Sequence, residues 1–331
     1  MHVTLRGLHR DDIPAWNRLL ADVEQVENSG EHYNEADLVE EMENPDVEVG
    51  KDLVGAFEGT EMIGYFGVLS RTASDVGHKI HLEGSVHPRH RGQGVGTRLV
   101  EAMMSRAEEV HRAQHPDVPV LYLLSGASDN VEQQDLVGSF GLEPDRWSFV
   151  MRADLADVAP PSPLPQGFEL RRYDDTMADS LFEAHNEAFL DHPNFAVWTE
   201  VEWKQRVLES RSFRPQLSYV VLDTARPTDS AHASGGGRIA AYVQTSEYDA
   251  YEEMTGRREA YVAKVGTRRE YRGRGLASTM LQHCLSAYGE AGYDEASLDV
   301  DSENPTGALG VYTRAGFTVE SRRTDYAKRV G

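Results

Sequence analysis

The chain has 331 residues, a formal net charge of −22 at pH 7 and a hydrophobic content of 40%. Two domains are expected, since a domain typically spans about 100–200 residues. An acidic chain lacks the basic face that nucleic acids need, and no stretch approaches the roughly 20 apolar residues of a membrane span. The N-terminus has no apolar core typical of a secretory signal, so we expect a cytoplasmic protein.

The first half of the chain predicts strands alternating with amphipathic helices. An opening strand at Val3–Arg6 precedes an acidic turn and a helix. Paired strands follow at Leu53–Phe57 and Met62–Ser70, joined by a tight turn. A further strand runs into an Arg/Gly-rich turn and a helix, and a short apolar strand is expected at Val120–Leu124.

A proline-rich segment divides the chain. Four prolines lie between Pro160 and Pro165, which excludes a helix or a central strand there. We therefore expect a domain at residues 1–154, an extended linker at 155–166 and a second domain at 167–331. A second Pro/Ser/Gly-rich segment, Thr224–Gly237, predicts a flexible loop.

The second half repeats the element order of the first. Strands are expected at Phe168–Arg171, Tyr219–Asp223, Ile239–Ser246 and Ala296–Val300, with an Arg/Gly-rich turn and a helix between the last two. A repeat of this length indicates duplication of a whole domain rather than a solenoid. The predicted fold class is α/β (α+β), with a mixed, mostly antiparallel sheet flanked by helices in each half.

An R-x-x-G-x-(G/A) turn occurs once in each half, at residues 91–96 and 272–277. Each turn follows a strand and opens a helix, where backbone N–H groups suit a pyrophosphate. Neither turn is a Walker loop, because no Gly-Lys-Ser/Thr follows, and neither has the glycine pattern of a Rossmann fingerprint. A single turn of this kind is weak support for a ligand site, whereas two copies in matching positions favour one.

The segments VHPRHRGQGVGTRL and VGTRREYRGRGLASTML resemble the acyl-CoA-binding motif of the GNAT acyltransferase superfamily. The second segment has Arg269 where the family usually has proline. The resemblance covers nearly the whole chain and implies two GNAT folds with acetyl-CoA as the cofactor. By this match the cofactor-binding residues are Val86, His87, Arg91, Gly92, Gln93, Gly94, Val95 and Gly96 in the first half, and Val265, Gly266, Thr267, Arg272, Gly273, Arg274, Gly275, Leu276, Ala277 and Asn304 in the second.

The two halves differ at the position of the family's tyrosine. LDVDSENPTGALGVYTRAGF is similar to the family pattern that ends in Y-x-x-x-G-F, which implies that Asn304 contacts the cofactor and that Tyr312 protonates the leaving thiolate. A core tyrosine that packs on Phe317 is the structural alternative. The first half has Val137 at the matching place, so we expect catalysis in the second domain. The first domain is then a cofactor-binding or structural copy, although some acetyltransferases use no such tyrosine.

The segment NEAFLDHPNFAVWT, residues 186–199, resembles the mycothiol synthase group of tandem GNAT proteins. This segment lies at the acceptor end of the family's cleft, which implies substrate contacts by Glu187, Asp191 and His192. The same resemblance places a glutamate early on the fourth strand, and Glu259 is the nearest candidate for the general base. A surface carboxylate at a strand end is the alternative for Glu259, and Glu247 is another carboxylate near the acceptor.

These features predict an N-acetyltransferase that acts on a primary amine of a small molecule. Mycothiol synthesis and non-catalytic acyl-CoA sensing are the alternatives, and either a monomer or a homodimer fits. The one cysteine, Cys284, lies mid-helix among apolar residues, so a buried structural thiol is expected. The histidines show no metal-binding spacing, and we predict no metal.

Overall fold

A computed structural model describes residues 2–74, 77–191, 195, 197–227, 237–302 and 307–331. The chain forms two compact units. The first contains Met1–Ser148 and Arg322–Gly331, and the second contains Phe149–Ser321. No helix in the described ranges is long and apolar enough to cross a bilayer.

The first half of the chain forms ten main elements. In order they are β1 (Val3–Gly7), α1 (Ile13–Glu27), α2 (Glu35–Glu43), β2 (Leu53–Glu58), β3 (Glu61–Ser74), β4 (Gly77–Val86), α3 (Val95–Gln114), β5 (Val120–Ala127), α4 (Val131–Ser139) and β6 (Glu143–Asp154).

The second half repeats this order with one additional short helix, which lies between its third and fourth strands. In order the elements are β7 (Phe168–Arg172), α5 (Ala178–Phe189), α6 (Glu200–Trp203), β8 (Tyr219–Asp223), β9 (Arg238–Ser246), α7 (Asp249–Thr255), β10 (Glu259–Thr267), α8 (Leu276–Glu290), β11 (Glu295–Asp301), α9 (Ala308–Ala315) and β12 (Thr318–Val330).

The sheet of the first unit has the strand order β1-β2-β3-β4-β5-β12. The pairs β1–β2, β2–β3, β3–β4 and β5–β12 are antiparallel, and β4–β5 is parallel. The parallel pairs run from His78↔Val120 to Leu82↔Leu124. Beyond Leu82 the two strands part, and no further β4–β5 pair is found within the described ranges.

The sheet of the second unit has the order β6-β11-β10-β9-β8-β7. Its parallel pair, β10–β11, is shorter and runs from Glu259↔Glu295 to Tyr261↔Ser297. A bulge between Val262 and Lys264 follows at once. A bulge adds one unpaired residue and bends its strand, and here it accompanies the parting of β10 from β11.

Helices cover both faces of each sheet, because alternate strand residues are apolar on both sides. In the second unit α8 packs on one face through Met280, Leu281 and Cys284, whereas α5 packs on the other through Leu181 and Ala184. Burial raises the pKa of Cys284 to about 12, which agrees with a structural thiol. The mixed, mostly antiparallel α/β architecture predicted from the sequence is confirmed.

The division into units differs from the expected one at its ends. Residues Arg323–Val330 of β12 pair with β5 in the first unit, and Phe149–Asp154 of β6 belong to the second unit. A strand's pattern specifies which face it buries but not which neighbour it pairs with. Residues 155–167 form no helix or strand, as the prolines predict, and Val158 and Leu164 pack on the second unit's core.

A buried histidine network joins β3, β4 and α3 in the first unit. His78 is fully buried, with Nε2 at 2.7 Å from the Ser70 hydroxyl and Nδ1 at 3.0 Å from Nδ1 of His111. Ser70 donates to the Gln114 side-chain oxygen, so His78 Nε2–H donates to Ser70. His78 Nδ1 therefore accepts from His111, and the His115 ring lies 4.7 Å from the His78 ring. Burial, followed by His115 and His111, lowers the pKa of His78 to about 4.

This network predicts acid sensitivity of folding. A histidine whose pKa is lower in the folded than in the unfolded chain is protonated first in the unfolded chain, so it stabilises the fold above its unfolded pKa of about 6.5. We expect the free energy of unfolding to fall by about 2 kcal/mol between pH 6.5 and 4 because of this group. Urea denaturation at several pH values should show a shallower slope for His78→Gln and an unchanged slope for the exposed control His2→Gln. Equal slopes for His78→Gln and the parent chain would contradict this account.

Candidate active site

A cavity of about 800 Å³ lies in the second unit at the end of β10. Most of the predicted cofactor residues of this half line it together with Tyr312: Val265, Gly266, Thr267, Arg272, Gly273, Gly275, Leu276 and Ala277. The sequence did not indicate the rest of the wall, which consists of Ala188, Phe189, Arg269, Tyr271, Ser278, Gly307, Ala308, Val311 and Arg314. These residues come from α5, α8, α9 and the turn before Arg272, and only the folded chain brings them together.

Two glycines shape the turn that opens the cavity. Gly273 and Gly275 have φ values of +74° and +77°, and a Cβ atom at either position would meet no atom within 4 Å. Glycine is therefore required by the left-handed backbone rather than by crowding. Gly275 caps α8 without a side-chain hydrogen bond, so the first N–H groups of this helix are available to an anionic ligand.

Arg272 fixes the turn to the neighbouring elements. Its Nε donates to the carbonyl of Thr267 at 3.2 Å, and its two terminal nitrogens donate to the carbonyl of Ala188 at 2.7 Å and to Asp191 at 2.8 Å. The guanidinium group thereby joins the end of β10 to the end of α5. Arg269 and Arg314 add two more cationic side chains to the wall, which makes the cavity locally positive in an acidic chain.

Tyr312 lies in α9 and faces the cavity while its ring packs against Phe317, with ring centroids 6.2 Å apart. Both sequence-based interpretations, a site residue and a core residue, thus describe the same side chain. Burial raises the pKa of Tyr312 to about 12. The hydroxyl is protonated at neutral pH and can donate a proton to a strong base.

Glu259 does not line the cavity. It lies at the closed end of the β10–β11 pair, opposite Glu295, and both carboxylates bind Arg152 Nη1 at 2.7 Å. Arg152 Nε also binds Glu320 at 2.8 Å. Burial raises the pKa of Glu259, although hydrogen bonds from Ser297 and Arg152 oppose this. The structure therefore gives Glu259 a place in a buried ion-pair network.

The structure describes two of the three predicted substrate residues, and both form ion pairs. Glu187 on α5 forms ion pairs with Arg268 and with Arg238, the latter at 3.1 Å. Asp191 lines the cavity but binds Arg272 and, at 3.4 Å, Arg269. His192 lies outside the described residues, as does Asn304 among the predicted cofactor residues.

Arg274 is the one described cofactor candidate of this half that is absent from the cavity wall. Its guanidinium donates to the carbonyl of Glu270 at 3.2 Å and lies 5.5 Å from the centre of the Tyr271 ring. Its role in the turn is thus packing. Glu247, the other carboxylate considered, binds Arg214 at 2.6 Å and Arg258 at 2.9 Å.

A polar surface lies on the α5 side of the sheet, at the point where β10 and β11 part. Leu298 and Val300 pack beneath α8, so Asp299 faces the opposite side and is exposed. The Tyr261 hydroxyl donates to Asp299 at 2.9 Å. Lys264, just past the bulge, lies 5.6 Å from the centre of the Trp198 ring.

The glycine turn of the first unit repeats this geometry. Arg91 Nε donates to the carbonyl of Val86 at 3.1 Å, and its Nη2 binds Glu27 at 2.7 Å. Gly92 and Gly94 have φ values of +68° and +80°, and α3 starts at Val95 without a side-chain cap.

The remaining predicted cofactor residues of this unit contribute to the turn's structure. His87 accepts from the N–H of Arg89 at 3.1 Å, and Gln93 donates to the carbonyl of Arg89 at 3.0 Å. A Cβ atom on Gly96 would lie 2.9 Å from Leu136. Val137 is only 2% exposed, so an apolar core residue replaces the hydroxyl that Tyr312 provides in the second unit. Across the described ranges, no three His, Cys, Asp or Glu side chains form a group suited to a metal ion.

Comparison with known proteins agrees with this geometry. The acetyltransferase (GNAT) family model matches residues 15–120 and 178–317. A mycothiol acetyltransferase from Tsukamurella paurometabola is 28% identical over 273 residues, which cover 80% of this chain and 82% of the relative. One from Clavibacter sepedonicus is 30% identical over 72% of this chain and 69% of the relative.

Solved structures agree on the fold. A GCN5-related N-acetyltransferase from Sphaerobacter thermophilus superposes with a TM-score of 0.79 at 25% identity, over 99% of this chain and 95% of that one. A tandem GNAT protein from the clavulanic acid biosynthesis pathway superposes with a TM-score of 0.67 at 15% identity, over 100% and 99% of the two chains. With a family match in each half, this chain belongs to the acetyltransferase (GNAT) family and is an N-acetyltransferase with two GNAT regions.

Proposed function

We propose that the second unit transfers an acetyl group from acetyl-CoA to a primary amine of a small molecule, by direct attack in a ternary complex. Membership of the family implies an acyl-CoA donor and a small-molecule acceptor. The observation that carries the proposal is one cavity that joins a pyrophosphate-type turn to the hydroxyl of the half-buried Tyr312. A non-catalytic acyl-CoA sensor has no need of such a proton donor.

The cavity supplies the contacts that a CoA thioester requires. Free N–H groups at the start of α8 and the cationic Arg269 and Arg314 suit the phosphates. In the part of the chain that the structure describes, no strand pairs with Val265–Thr267 on its β11 side, so the backbone groups of this segment can pair with the amide groups of the pantetheine arm. The small side chain of Ala277 leaves room beside the turn.

The reaction needs a neutral amine beside the thioester carbonyl. The amine nitrogen attacks the carbonyl carbon, while an N–H of the parted segment of β10 stabilises the oxyanion. The C–S bond then breaks, and the thiolate takes the proton of the Tyr312 hydroxyl. The tyrosinate regains a proton from solvent, and the ammonium proton passes to a carboxylate or to water.

Asp299 is our candidate for receiving that proton. It is exposed, it lies just beyond the last β10–β11 pair, and Tyr261 orients it through a hydrogen bond of 2.9 Å. Glu259, the candidate from the resemblance, is bound to Arg152 at the closed end of the same strand pair. Because Asp299 lies beyond the open end of the β10–β11 pair and Glu259 lies at its closed end, the position along the strands favours Asp299.

The acceptor is the least constrained part of the proposal. Curated relatives are mycothiol acetyltransferases, which makes the cysteinyl-amine pseudodisaccharide precursor of mycothiol the second candidate. At 28–30% identity the acceptor pocket can have diverged, and a screen of amines with acetyl-CoA separates this precursor from other small amines. A cytoplasmic location remains a prediction.

Removing the Tyr312 hydroxyl tests the assigned acid. We expect Tyr312→Phe to lower kcat by about 10²-fold, the effect typical of general acid catalysis, with little change in the binding of acetyl-CoA. Thiol release under saturating substrates gives kcat, and calorimetry gives the affinity for the donor. Tyr173→Phe is the matched control, since Tyr173 is also buried and packs on an aromatic ring away from the cavity. Normal turnover in Tyr312→Phe would remove this role.

Replacing the two carboxylates separately identifies the base. We expect Asp299→Asn to lower kcat by about 10²-fold at neutral pH, and Glu259→Gln to leave kcat within a few-fold while lowering the urea midpoint. The second effect arises because Arg152 loses one of its buried partners. Steady-state kinetics and denaturation on both variants provide the measurement. If Glu259→Gln loses turnover and Asp299→Asn does not, the prediction from the resemblance is correct instead.

A further inference from the structure

Gly266 lies in the middle of the β10 segment that lines the cavity. It pairs with Tyr242 on β9, and a Cβ atom on Gly266 would lie 2.1 Å from Cε1 of the Tyr242 ring. The ring therefore occupies the space that any larger residue at this position would fill, and it lies directly against the backbone of β10. Tyr242 is buried among the residues that pack beneath α5, so the contact is made on the α5 side of the sheet.

Two hydrogen bonds establish which backbone groups of β10 face the opening between β10 and β11. The N–H of Arg268, the residue after β10, donates to the carbonyl of Ala240 at the β9 side, at 3.0 Å. Hydrogen-bonded and non-hydrogen-bonded pairs alternate along an antiparallel ladder, so Gly266 also faces β9, whereas Val265 and Thr267 face away from it. The carbonyl of Thr267 agrees, since it accepts a guanidinium N–H of the glycine turn. The opening thus presents the N–H groups of Val265 and Thr267 to a ligand.

His185 of α5 holds the Tyr242 ring in its place on β10. The Tyr242 hydroxyl oxygen lies 2.6 Å from His185 Nδ1, and both side chains are buried. Burial, followed by the charge of Lys264, lowers the pKa of His185 to about 3. The imidazole is therefore neutral near neutral pH, and its Nδ1 can accept the hydroxyl proton of Tyr242. This one hydrogen bond joins α5 to the ring that lies against Gly266.

The surroundings of His185 are unfavourable for a polar side chain. Aromatic rings enclose it, with ring centres 4.8 Å away for Phe189, 4.7 Å for Trp203 and 5.6 Å for Trp198. Its Nε2 has no hydrogen-bond partner among the described residues. A buried polar atom without a partner lowers stability, and an apolar residue would avoid this cost. Stability of the core alone therefore does not account for a histidine at this position.

We propose that Tyr242 and His185 are positioning residues of the second unit, which together align the two outward-facing N–H groups of β10 with the carbonyl of the acyl thioester. The inference rests on the proposed function, in which an N–H of this segment stabilises the oxyanion. Neither side chain lines the cavity. His185 holds the Tyr242 hydroxyl, the Tyr242 ring lies against Gly266, and the residues on either side of Gly266 carry the two N–H groups.

This arrangement affects the rate more than the binding of the donor. The oxyanion forms only as the amine attacks, so its hydrogen bonds depend on the exact place of the β10 N–H groups. A displacement of about 1 Å near a reacting centre can lower a rate by about 10²-fold. The phosphates, in contrast, are expected at the start of α8, which neither Tyr242 nor His185 contacts through its hydrogen bond. Loss of the pair should therefore lower kcat and leave the affinity for acetyl-CoA nearly unchanged.

A double variant separates positioning from packing. Tyr242→Phe combined with His185→Leu removes both hydrogen-bonding groups, and replacing both partners of a buried bond by apolar groups can leave stability nearly unchanged. Each single variant leaves one partner unpaired, whereas His185→Asn keeps an acceptor close to the position of Nδ1. The matched control is Tyr288→Phe. The Tyr288 hydroxyl lies 2.6 Å from that of Thr245 in the same unit, and neither residue lines the cavity.

The full chain is used for every measurement. Thiol release gives kcat with saturating acetyl-CoA and the amine that the parent chain acetylates fastest among tyramine, glucosamine and 1,4-diaminobutane. Calorimetry gives the Kd of acetyl-CoA, and urea denaturation gives the stability. Infrared spectra of bound acetyl-CoA, labelled with carbon-13 at the thioester carbonyl, give the stretching frequency of that carbonyl. Hydrogen bonds to a carbonyl lower this frequency, so the band reports the alignment of the N–H groups without any turnover.

We expect the double variant to lose kcat by about tenfold or more, with a Kd for acetyl-CoA and a urea midpoint close to those of the parent. Its carbonyl band should shift from the lowered frequency of the parent towards that of free acetyl-CoA. His185→Asn should restore most of the kcat and of the band shift that His185→Leu loses. Tyr288→Phe should leave both at the parent's values.

If the double variant keeps the kcat and carbonyl frequency of the parent, the pair serves packing alone and the proposal is wrong. An unshifted band in the parent, or a loss of kcat matched by an equal loss of acetyl-CoA affinity or of folded protein, overturns it as well. If the parent chain acetylates no amine, the proposed function fails, whereas the carbonyl bands of the parent and the double variant still decide whether the pair positions β10.

Discussion

The separation of two parallel strands is the constraint on which the site of the second unit depends. β10 and β11 share only three residue pairs, from Glu259↔Glu295 to Tyr261↔Ser297. A strand normally satisfies its N–H and C=O groups on both sides. After Tyr261 no further β10–β11 pair is found among the described residues, and the segment Val265–Thr267 forms a wall of the cavity. In the complex proposed for acetyl-CoA, the amide groups of the pantetheine arm would complete this pairing.

Different interactions stabilise the two ends of the opening between β10 and β11. At the closed end, Arg152 binds Glu259, Glu295 and Glu320 and keeps buried carboxylates paired. At the open end, Arg272 joins β10 to α5 through the Thr267 and Ala188 carbonyls. Buried charges contribute little net stability when paired but are costly when unpaired. Such ion pairs favour one register of the strands, which keeps the opening at one position along β10.

Sequence reasoning identified the parts of the site that depend on local chemistry. The paired glycines of residues 272–277 require a left-handed backbone, and the structure has it at Gly273 and Gly275. Tyr312 was implied by the resemblance to the family pattern that ends in Y-x-x-x-G-F, and it does face the cavity. Arg269 and Arg314 were missed, because their common position depends on how α9 packs beside α8.

The position of Glu259 relative to the opening between β10 and β11 could not be predicted from the alternation of strand faces alone. Its alternation was consistent with the acceptor face, yet the face alone does not say how far along the strand the gap begins. That distance depends on the bulge between Val262 and Lys264, which no periodicity reveals. A last strand was expected in each half, but its pairing was not, because the residue pattern of β12 does not specify that it pairs with β5.

Glu83 and Lys264 occupy equivalent positions in the two halves of the chain but differ in charge type. Both residues stand eight positions before the arginine of their glycine turn, and each lies just past the point where parallel pairing ends. In the first unit Gly67 leaves room for the carboxylate, whereas the residue paired with Lys264 is the buried Gln244. The two copies of the fold therefore carry different side chains at this position, whereas the glycine turn keeps the same left-handed backbone in each.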